Sequence, residues 1–213
     1  KRENQFFFPI ILCSISFLII NLLGIKEISN LAYSSGYLIK EPFRILLYNF
    51  VHKDLNHLSS NIVGILIIRY CFIKLKIKNN KLFYYLMSLI IFLQTLILYL
   101  IDTFLLIKND HLLIGFSGII FGVNSYLMMA SYFGTNQFFM NLEGFKRNYY
   151  IFRLNFLILS FGFIYSFLPG VSFVGHFCGA LSGLIIFHLS QRTMRKIIPN
   201  RFNNLIKKIN KFH

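Results

Sequence analysis

The chain has 213 residues, of which 56% are hydrophobic, and its formal net charge is +15. This length predicts one domain, and a mean hydropathy of +0.62 excludes an ordinary soluble protein. The basic residues lie between long apolar runs rather than on a polar face, so they indicate loops beside membrane spans and argue against nucleic-acid binding.

Six apolar segments are long enough to cross a bilayer, which needs roughly 20 residues per helix. They are about 6–25, 56–73, 82–107, 115–133, 151–168 and 174–190. We therefore predict an all-α membrane protein with six transmembrane helices in residues 1–191, followed by a basic cytoplasmic tail at 192–213. The connection 26–55 contains Pro42 and mixed charge, which is compatible with a short interfacial helix.

The lysines and arginines predict the orientation of the bundle. Of the 22 lysines and arginines, sixteen lie on one predicted side: before the first span, near the connections between spans two and three and between spans four and five, or after the sixth span. Five lie in the connections on the other side. Because cytoplasmic loops carry the excess of basic residues, both termini are expected in the cytoplasm. Arg69, near the inner end of the second span, is expected to snorkel towards the interface.

Polar residues stand at the start of three spans that run in the same direction. The second span begins with His57 and Asn61, the fourth with Ser117 and the sixth with His176. Polar groups inside a membrane are costly, and they usually face the bundle interior or a wet cavity. We therefore expect these four side chains to lie together at one shallow depth.

Glycines at helical spacing explain how the fourth and sixth spans could bring Ser117 and His176 together. Small residues four apart let two helix backbones approach closely. A serine beside a histidine can act as a nucleophile activated by a base, and free N–H groups at a helix start, with His57 and Asn61, can stabilise an oxyanion. No carboxylate is well placed for a triad, so a dyad is predicted. The glycines assigned to packing are Gly115, Gly118, Gly122, Gly175, Gly179 and Gly183.

Each of these motifs alone is more often a helix-packing or interfacial feature, and it is their combination that indicates a site. His52 is expected to be structural, and Asp102 to be an interfacial or solvated charge. The sequence has no HExxH motif or carboxylate cluster, and its cysteines have no CxxC spacing, so we predict no metal and no cofactor.

Over about residues 6–190 the sequence resembles the rhomboid family of intramembrane serine proteases. The family pattern HxxxxHxxxN matches His52, His57 and Asn61, and the pattern GxSG matches residues 115–118. The pattern HxxGxxxG starts at His176. The family's loop arginine is matched by Arg44, which is assigned to loop support. Phe121 follows the serine by four residues, where family members have Tyr or Phe.

The resemblance implies a serine endopeptidase that cleaves single-span membrane proteins near the outer face of the bilayer. We expect a multi-pass protein of a bacterial plasma membrane. One alternative is a non-proteolytic rhomboid-like protein that binds membrane clients, although the presence of both Ser117 and His176 argues against it. A second is a small transporter, which the position of the polar residues at helix ends rather than at mid-depth argues against.

Overall fold

The computed structural model describes residues 3–22, 28–104, 113–134, 137–138, 142–143 and 146–190. The predicted basic tail at 192–213 lies outside the described residues. The described chain forms α1 (Asn4–Leu22), a 3₁₀ turn (Ile28–Asn30), α2 (Arg44–Leu47), α3 (Leu55–Lys74), α4 (Leu82–Phe104), α5 (Ser117–Phe133), β1 (Gln137–Phe138), β2 (Leu142–Glu143), α6 (Tyr149–Tyr165) and α7 (Phe173–Ser190). The two short strands pair in antiparallel fashion.

A helix lies in each of the six predicted segments. The helices α1, α3, α4 and α7 are long and apolar enough to cross a membrane, with 19, 20, 23 and 18 residues. The helices α5 and α6 have 17 residues each, which at 1.5 Å per residue is about 26 Å and at the lower limit for a span. The prediction of a helical membrane bundle is confirmed, whereas the number of spans and the orientation stay predictions.

The helix α5 lies inside the bundle, against α3, α4 and α6. Its residues Ile119, Val123 and Leu127 are completely buried, and they belong to one apolar core with residues of α3 and α4. Large apolar side chains elsewhere are exposed, for example Phe92 of α4 and Phe161 of α6. Such outward apolar faces are what a helix needs in contact with lipid.

Four glycines form the contact between α5 and α7. A Cβ atom on Gly179 would collide with the carbonyl oxygen of Gly118, and one on Gly183 would collide with that of Gly122. A Cβ on Gly122 would in turn lie 2.8 Å from the carbonyl oxygen of Gly179. Gly122, Gly179 and Gly183 therefore need to be glycine, because a side chain there would force the two backbones apart, whereas a Cβ on Gly118 would meet the side-chain amide of Gln94.

Gly115 and Gly175, which were assigned structural or packing roles with the other glycines, lie outside this contact between α5 and α7. Gly115 precedes α5 at a φ of +106°, and a Cβ there would lie 2.5 Å from Nε2 of His57. Gly175 is in the first turn of α7, where the nearest atoms to a Cβ belong to Ser172 and Leu113. Helical spacing alone could not show that the close approach begins one turn later.

The connection before α3 is fixed by buried polar contacts around Arg44. The guanidinium pairs with Glu41 and donates from Nη1 to the carbonyl oxygens of Ser29 and Ala32, both at 2.9 Å. It also lies 5.2 Å from the ring centre of Tyr37. Arg44 thus holds four points of the loop together.

Two charges predicted to be solvated or interfacial are engaged in contacts. Asp102 accepts a hydrogen bond from the Tyr33 hydroxyl at 3.0 Å, which ties the loop to the end of α4. Arg69 pairs with Glu3, which joins α3 to the start of the chain. Neither contact contradicts an interfacial Asp102 or a snorkelling Arg69, so both stay predictions. The sequence did not indicate the partners, each of which is more than sixty residues away.

Candidate active site

A sharp turn delivers Ser117 to the start of α5. The amide of Gly115 donates to the carbonyl oxygen of Tyr48 at 2.8 Å, and the positive φ of Gly115 turns the chain into the helix. Phe116, at the N-cap, is completely buried and so anchors the turn. Ser117 is therefore in the first helical turn, where the backbone N–H groups have no partner within the helix.

The close glycine contact brings His176 of α7 to Ser117. The distance from His176 Nε2 to Ser117 Oγ is 2.9 Å, which is a hydrogen bond. His176 is buried, whereas Ser117 is partly exposed. A buried imidazole next to an accessible hydroxyl is the arrangement that activates a serine for attack.

Phe121 fixes the plane of the His176 ring. The two rings are stacked, with centres 4.2 Å apart and planes 5° from parallel. Phe163 of α6 packs edge-on against Phe121 at 5.2 Å. Gly162 leaves the space for this contact, because a Cβ there would lie 2.5 Å from Cζ of Phe121.

The second nitrogen of His176 has a partner that the sequence did not indicate. Nδ1 lies 2.6 Å from Oγ of Ser166, the residue at which α6 ends. Ser166 is a lone serine ten residues before the histidine in the sequence, with no motif around it. Only the packing of α6 against α7 brings the two side chains together.

His57 and Asn61 lie beside the turn that leads into α5. A Cβ on Gly115 would be 2.5 Å from His57 Nε2 and 3.4 Å from Asn61 Nδ2, so both nitrogens face the Gly115 backbone. His57 Nδ1 is buried and has no hydrogen-bond partner in the described chain.

His52 orients Asn61. Its Nδ1 lies 3.1 Å from the carbonyl oxygen of Phe50, and its Nε2 lies 2.8 Å from Asn61 Nδ2. A carbonyl only accepts, so His52 donates from Nδ1 and accepts one Asn61 N–H at Nε2. Burial, and secondarily the neighbouring His57, lowers the pKa of His52 to about 4, which keeps the ring neutral as these two bonds require.

Asp54 positions the start of α3, a role that sequence reasoning missed. Its carboxylate accepts from the backbone N–H of His57 at 2.7 Å as the N-cap of the helix. An aspartate directly before a helix is a recognisable capping signal. It sets the register in which His57 and Asn61 face the site.

A buried polar group of α4 lies on the other side of the site and was also missed. Gln94 donates from Nε2 to the hydroxyl of Tyr48 at 3.1 Å, and Thr95 lies 3.0 Å from the same hydroxyl. The Gln94 amide fills the place where a side chain of residue 118 would stand. Two polar residues inside an apolar span are a sequence signal for such a site.

No group of three or more His, Cys, Asp and Glu side chains that could hold a metal ion occurs among the residues that the structure describes. Cys13, Cys71 and Cys178 are buried free thiols.

A comparison with curated proteins finds no significant match. The family model of the Rhomboid domain matches residues 40–192, which is well over half of the chain and includes every residue of the site described above. This match, with the apolar helices, identifies an integral membrane protein. The chain belongs to the rhomboid family, whose members are typically intramembrane proteases.

Proposed function

We propose that this protein is an intramembrane serine endopeptidase in which Ser117 is the nucleophile and His176 the general base. The observation that carries the proposal is the 2.9 Å contact between Ser117 Oγ and His176 Nε2 at the first turn of α5. The stacked Phe121 supports it, since a ring held at one angle loses little freedom in the reaction.

In the proposed reaction, Oγ of Ser117 attacks the carbonyl carbon of the scissile peptide bond while its proton passes to Nε2 of His176. The resulting imidazolium protonates the leaving amine as the C–N bond breaks, which leaves an acyl-enzyme. A water molecule then gives a proton to His176 and attacks the ester, and Ser117 regains its proton.

The oxyanion of the tetrahedral intermediate needs donors on the side of Ser117 that faces α3. The backbone N–H of Ser117 is one donor, because it is free at the helix start. His57 Nε2 and the second N–H of Asn61 are the other two, since both nitrogens face the Gly115 backbone. Preorganised donors of this kind are worth most where water is excluded.

The proposed substrates are membrane proteins with a single span, cut near the outer face of the bilayer. The charge asymmetry of the loops supports this side, because it predicts that the starts of α3, α5 and α7 lie away from the cytoplasm. A peptide bond in a regular helix is shielded, so a substrate must unwind locally to reach Ser117. A bacterial plasma membrane is the proposed location.

The replacement Ser117→Ala tests the proposal. It removes one oxygen atom, so we expect cleavage of a single-span model substrate in liposomes to be lost while the melting temperature is unchanged. The matched control is Ser131→Ala, which also removes a hydroxyl from α5, one that bonds only to its own helix. Equal turnover in Ser117→Ala and Ser131→Ala would contradict the mechanism. Substrate binding without turnover in the parent would favour a client-binding protein.

A further inference from the structure

A chain of three hydrogen bonds runs through the His176 ring, and the dyad uses only one of them. Beyond the bond from Ser117 to Nε2, the ring nitrogen Nδ1 lies 2.6 Å from Ser166 Oγ. That oxygen also lies 2.7 Å from the carbonyl oxygen of Gly162. Ser166 is 2% exposed, so water does not compete for these contacts.

The protons in this chain can be assigned from the groups themselves. The Gly162 carbonyl can only accept, and the hydroxyl of Ser166 has one proton, which it donates to that carbonyl. The Ser166 oxygen must then accept from His176, so Nδ1 carries the ring proton. In a neutral imidazole Nε2 is consequently unprotonated, and its lone pair faces the Ser117 hydroxyl.

We propose that Ser166 is a positioning residue for the dyad, which holds His176 in the tautomer that can take a proton from Ser117. This inference rests on the proposed proteolytic function. It adds a third side chain, from the C-cap of α6, to the dyad of Ser117 and His176. The end of α6 therefore sets both the ring plane, through Gly162 and Phe121, and the ring proton.

Ser166 also has a role after proton transfer. The imidazolium donates from Nδ1 to the Ser166 oxygen, and a hydrogen bond from a charged donor is stronger than one from a neutral donor. Since a hydroxyl carries no charge, this support is weaker than that of a triad aspartate, whose loss costs about 10⁴-fold through the wrong tautomer.

The geometry does not fit Ser166 as the nucleophile itself. Its proton is engaged by Gly162, and it lies at a helix C-terminus, where free carbonyl groups would repel an oxyanion. Ser117 has the opposite surroundings, namely a helix start and the nitrogens of His57 and Asn61. The two serines thus divide the roles of attack and orientation.

The replacement Ser166→Ala tests the proposal in the full-length protein reconstituted in liposomes. We expect kcat to fall about 10- to 100-fold, the range for loss of a hydrogen bond to a charged group, with KM unchanged. The control is Ser182→Ala, another buried serine of the site's helices, whose hydroxyl bonds only to the carbonyl oxygen of Cys178. Melting temperatures of both variants show that the loss is not one of folding.

A spectroscopic measurement separates positioning from general damage. Nitrogen-15 spectra of the histidine rings, assigned with a His176→Asn variant, report which nitrogen carries the proton. The parent is expected to carry it on Nδ1, and Ser166→Ala is expected to shift the population towards Nε2. A parent with its proton on Nε2, or a Ser166→Ala ring identical to the parent, would overturn the proposal.

Different experimental results would refute the positioning role of Ser166 and the proposed protease function. If the parent cleaves and Ser166→Ala cleaves as fast as Ser182→Ala, the positioning role is refuted and the protease remains. If the parent shows no cleavage, the proposed function is contradicted, and the ring spectra still decide whether Ser166 fixes the tautomer.

Discussion

The side of the site formed by α5 and α7 and the side formed by α3 are held by different kinds of contact. On the first side, backbones touch through Gly118, Gly122, Gly179 and Gly183, and a Cβ on any of the last three would collide with the backbone of the facing helix. On the second side, the donor side chains are held by hydrogen bonds. A single substitution on the first side should therefore cause a large loss of activity. A single substitution on the second side should cause a smaller one, because other contacts remain.

The difference follows from what each side has to do. In the proposed mechanism Ser117 and His176 exchange a proton, so their distance must be fixed within a few tenths of an ångström. The proposed donors on α3 would act together on one oxyanion, and the loss of one would leave the others in place. Tight backbone packing suits the first task, and a group of adjustable side chains suits the second.

The largest expected effect is at the glycine contact. A Cβ in Gly179→Ala would collide with the carbonyl oxygen of Gly118, so α7 must move away from α5 and take His176 with it. A misplacement of about 1 Å can cost roughly 10²-fold in rate. We expect at least this loss in cleavage rate, measured on a reconstituted single-span substrate.

Gly175→Ala is the matched control for that prediction. It lies on the same helix, but its added methyl group would be 3.2 Å from the Ser172 hydroxyl, a side chain that can shift. It should therefore retain most of the parental rate. Equal losses in Gly175→Ala and Gly179→Ala would mean that the contact between α5 and α7 is not what sets the dyad.

A smaller effect is expected on the α3 side. Removal of one fully engaged oxyanion donor costs about 10²–10³-fold in kcat, and His57→Ala or Asn61→Ala should cost less because other donors remain. KM should change little, since these donors favour the transition state over the bound substrate. The check is kcat and KM for both variants beside Ser59→Ala, a control on the exposed face of α3. Variants with parental kcat and a raised KM would indicate a docking surface.

Acid should weaken the α3 side through His52. Its folded-state pKa of about 4 lies below the ordinary value of 6.5, so its neutral form stabilises the fold fully above pH 6.5. That contribution is lost as the pH falls from 6.5 towards 4, because a protonated Nε2 can no longer accept from Asn61. We expect the melting temperature to fall over this window in the parent, and to fall less in His52→Gln. Parallel curves for the two proteins would exclude His52 as the titrating group.

The smallest effect on chemistry is expected at Arg44, whose hydrogen bonds are to residues of the loop before α3. Arg44→Ala removes the bonds to the carbonyl oxygens of Ser29 and Ala32, which should cost about 1–3 kcal/mol of stability. The cleavage rate should drop only a few-fold, because the substitution loosens the loop and removes no group from the site. Thermal unfolding of Arg44→Ala compared with Lys40→Ala, an exposed cation of the same loop, measures this. A loss of activity as large as that of Gly179→Ala would contradict the assignment of Arg44 to loop support.

The helices and the site residues could be predicted from the sequence to different extents. Long apolar runs indicate helices, and His57, Asn61, Ser117 and His176 are conspicuous because polar groups in such runs need a reason. The bond from Ser166 to His176, by contrast, depends on how the end of α6 packs, which no local pattern encodes. The end of α6 itself came three residues earlier than predicted, at Tyr165 rather than at 168.

Long-range polar contacts were the other features that the sequence did not reveal. The sequence does not show that Asp102 accepts a hydrogen bond from Tyr33. It also does not show that the Gln94 amide occupies the space beside Gly118. The glycine spacing indicated the contact face of α5 and α7, but on α7 it included Gly175, which lies one turn before the close approach. The spacing and composition of the sequence thus predict which face of a helix is buried, but they do not predict which side chains are in contact.

The proposal that Ser117 is a nucleophile activated by His176 is tested most directly by chemical labelling. The protein in detergent is treated with a fluorophosphonate probe, which reacts with activated serines, and the modified residue is located by mass spectrometry of peptides. We expect modification on Ser117, and its loss in His176→Ala, in which the hydroxyl is still present. A parent protein that stays unlabelled, or a label that resides on another serine, would contradict the assignment.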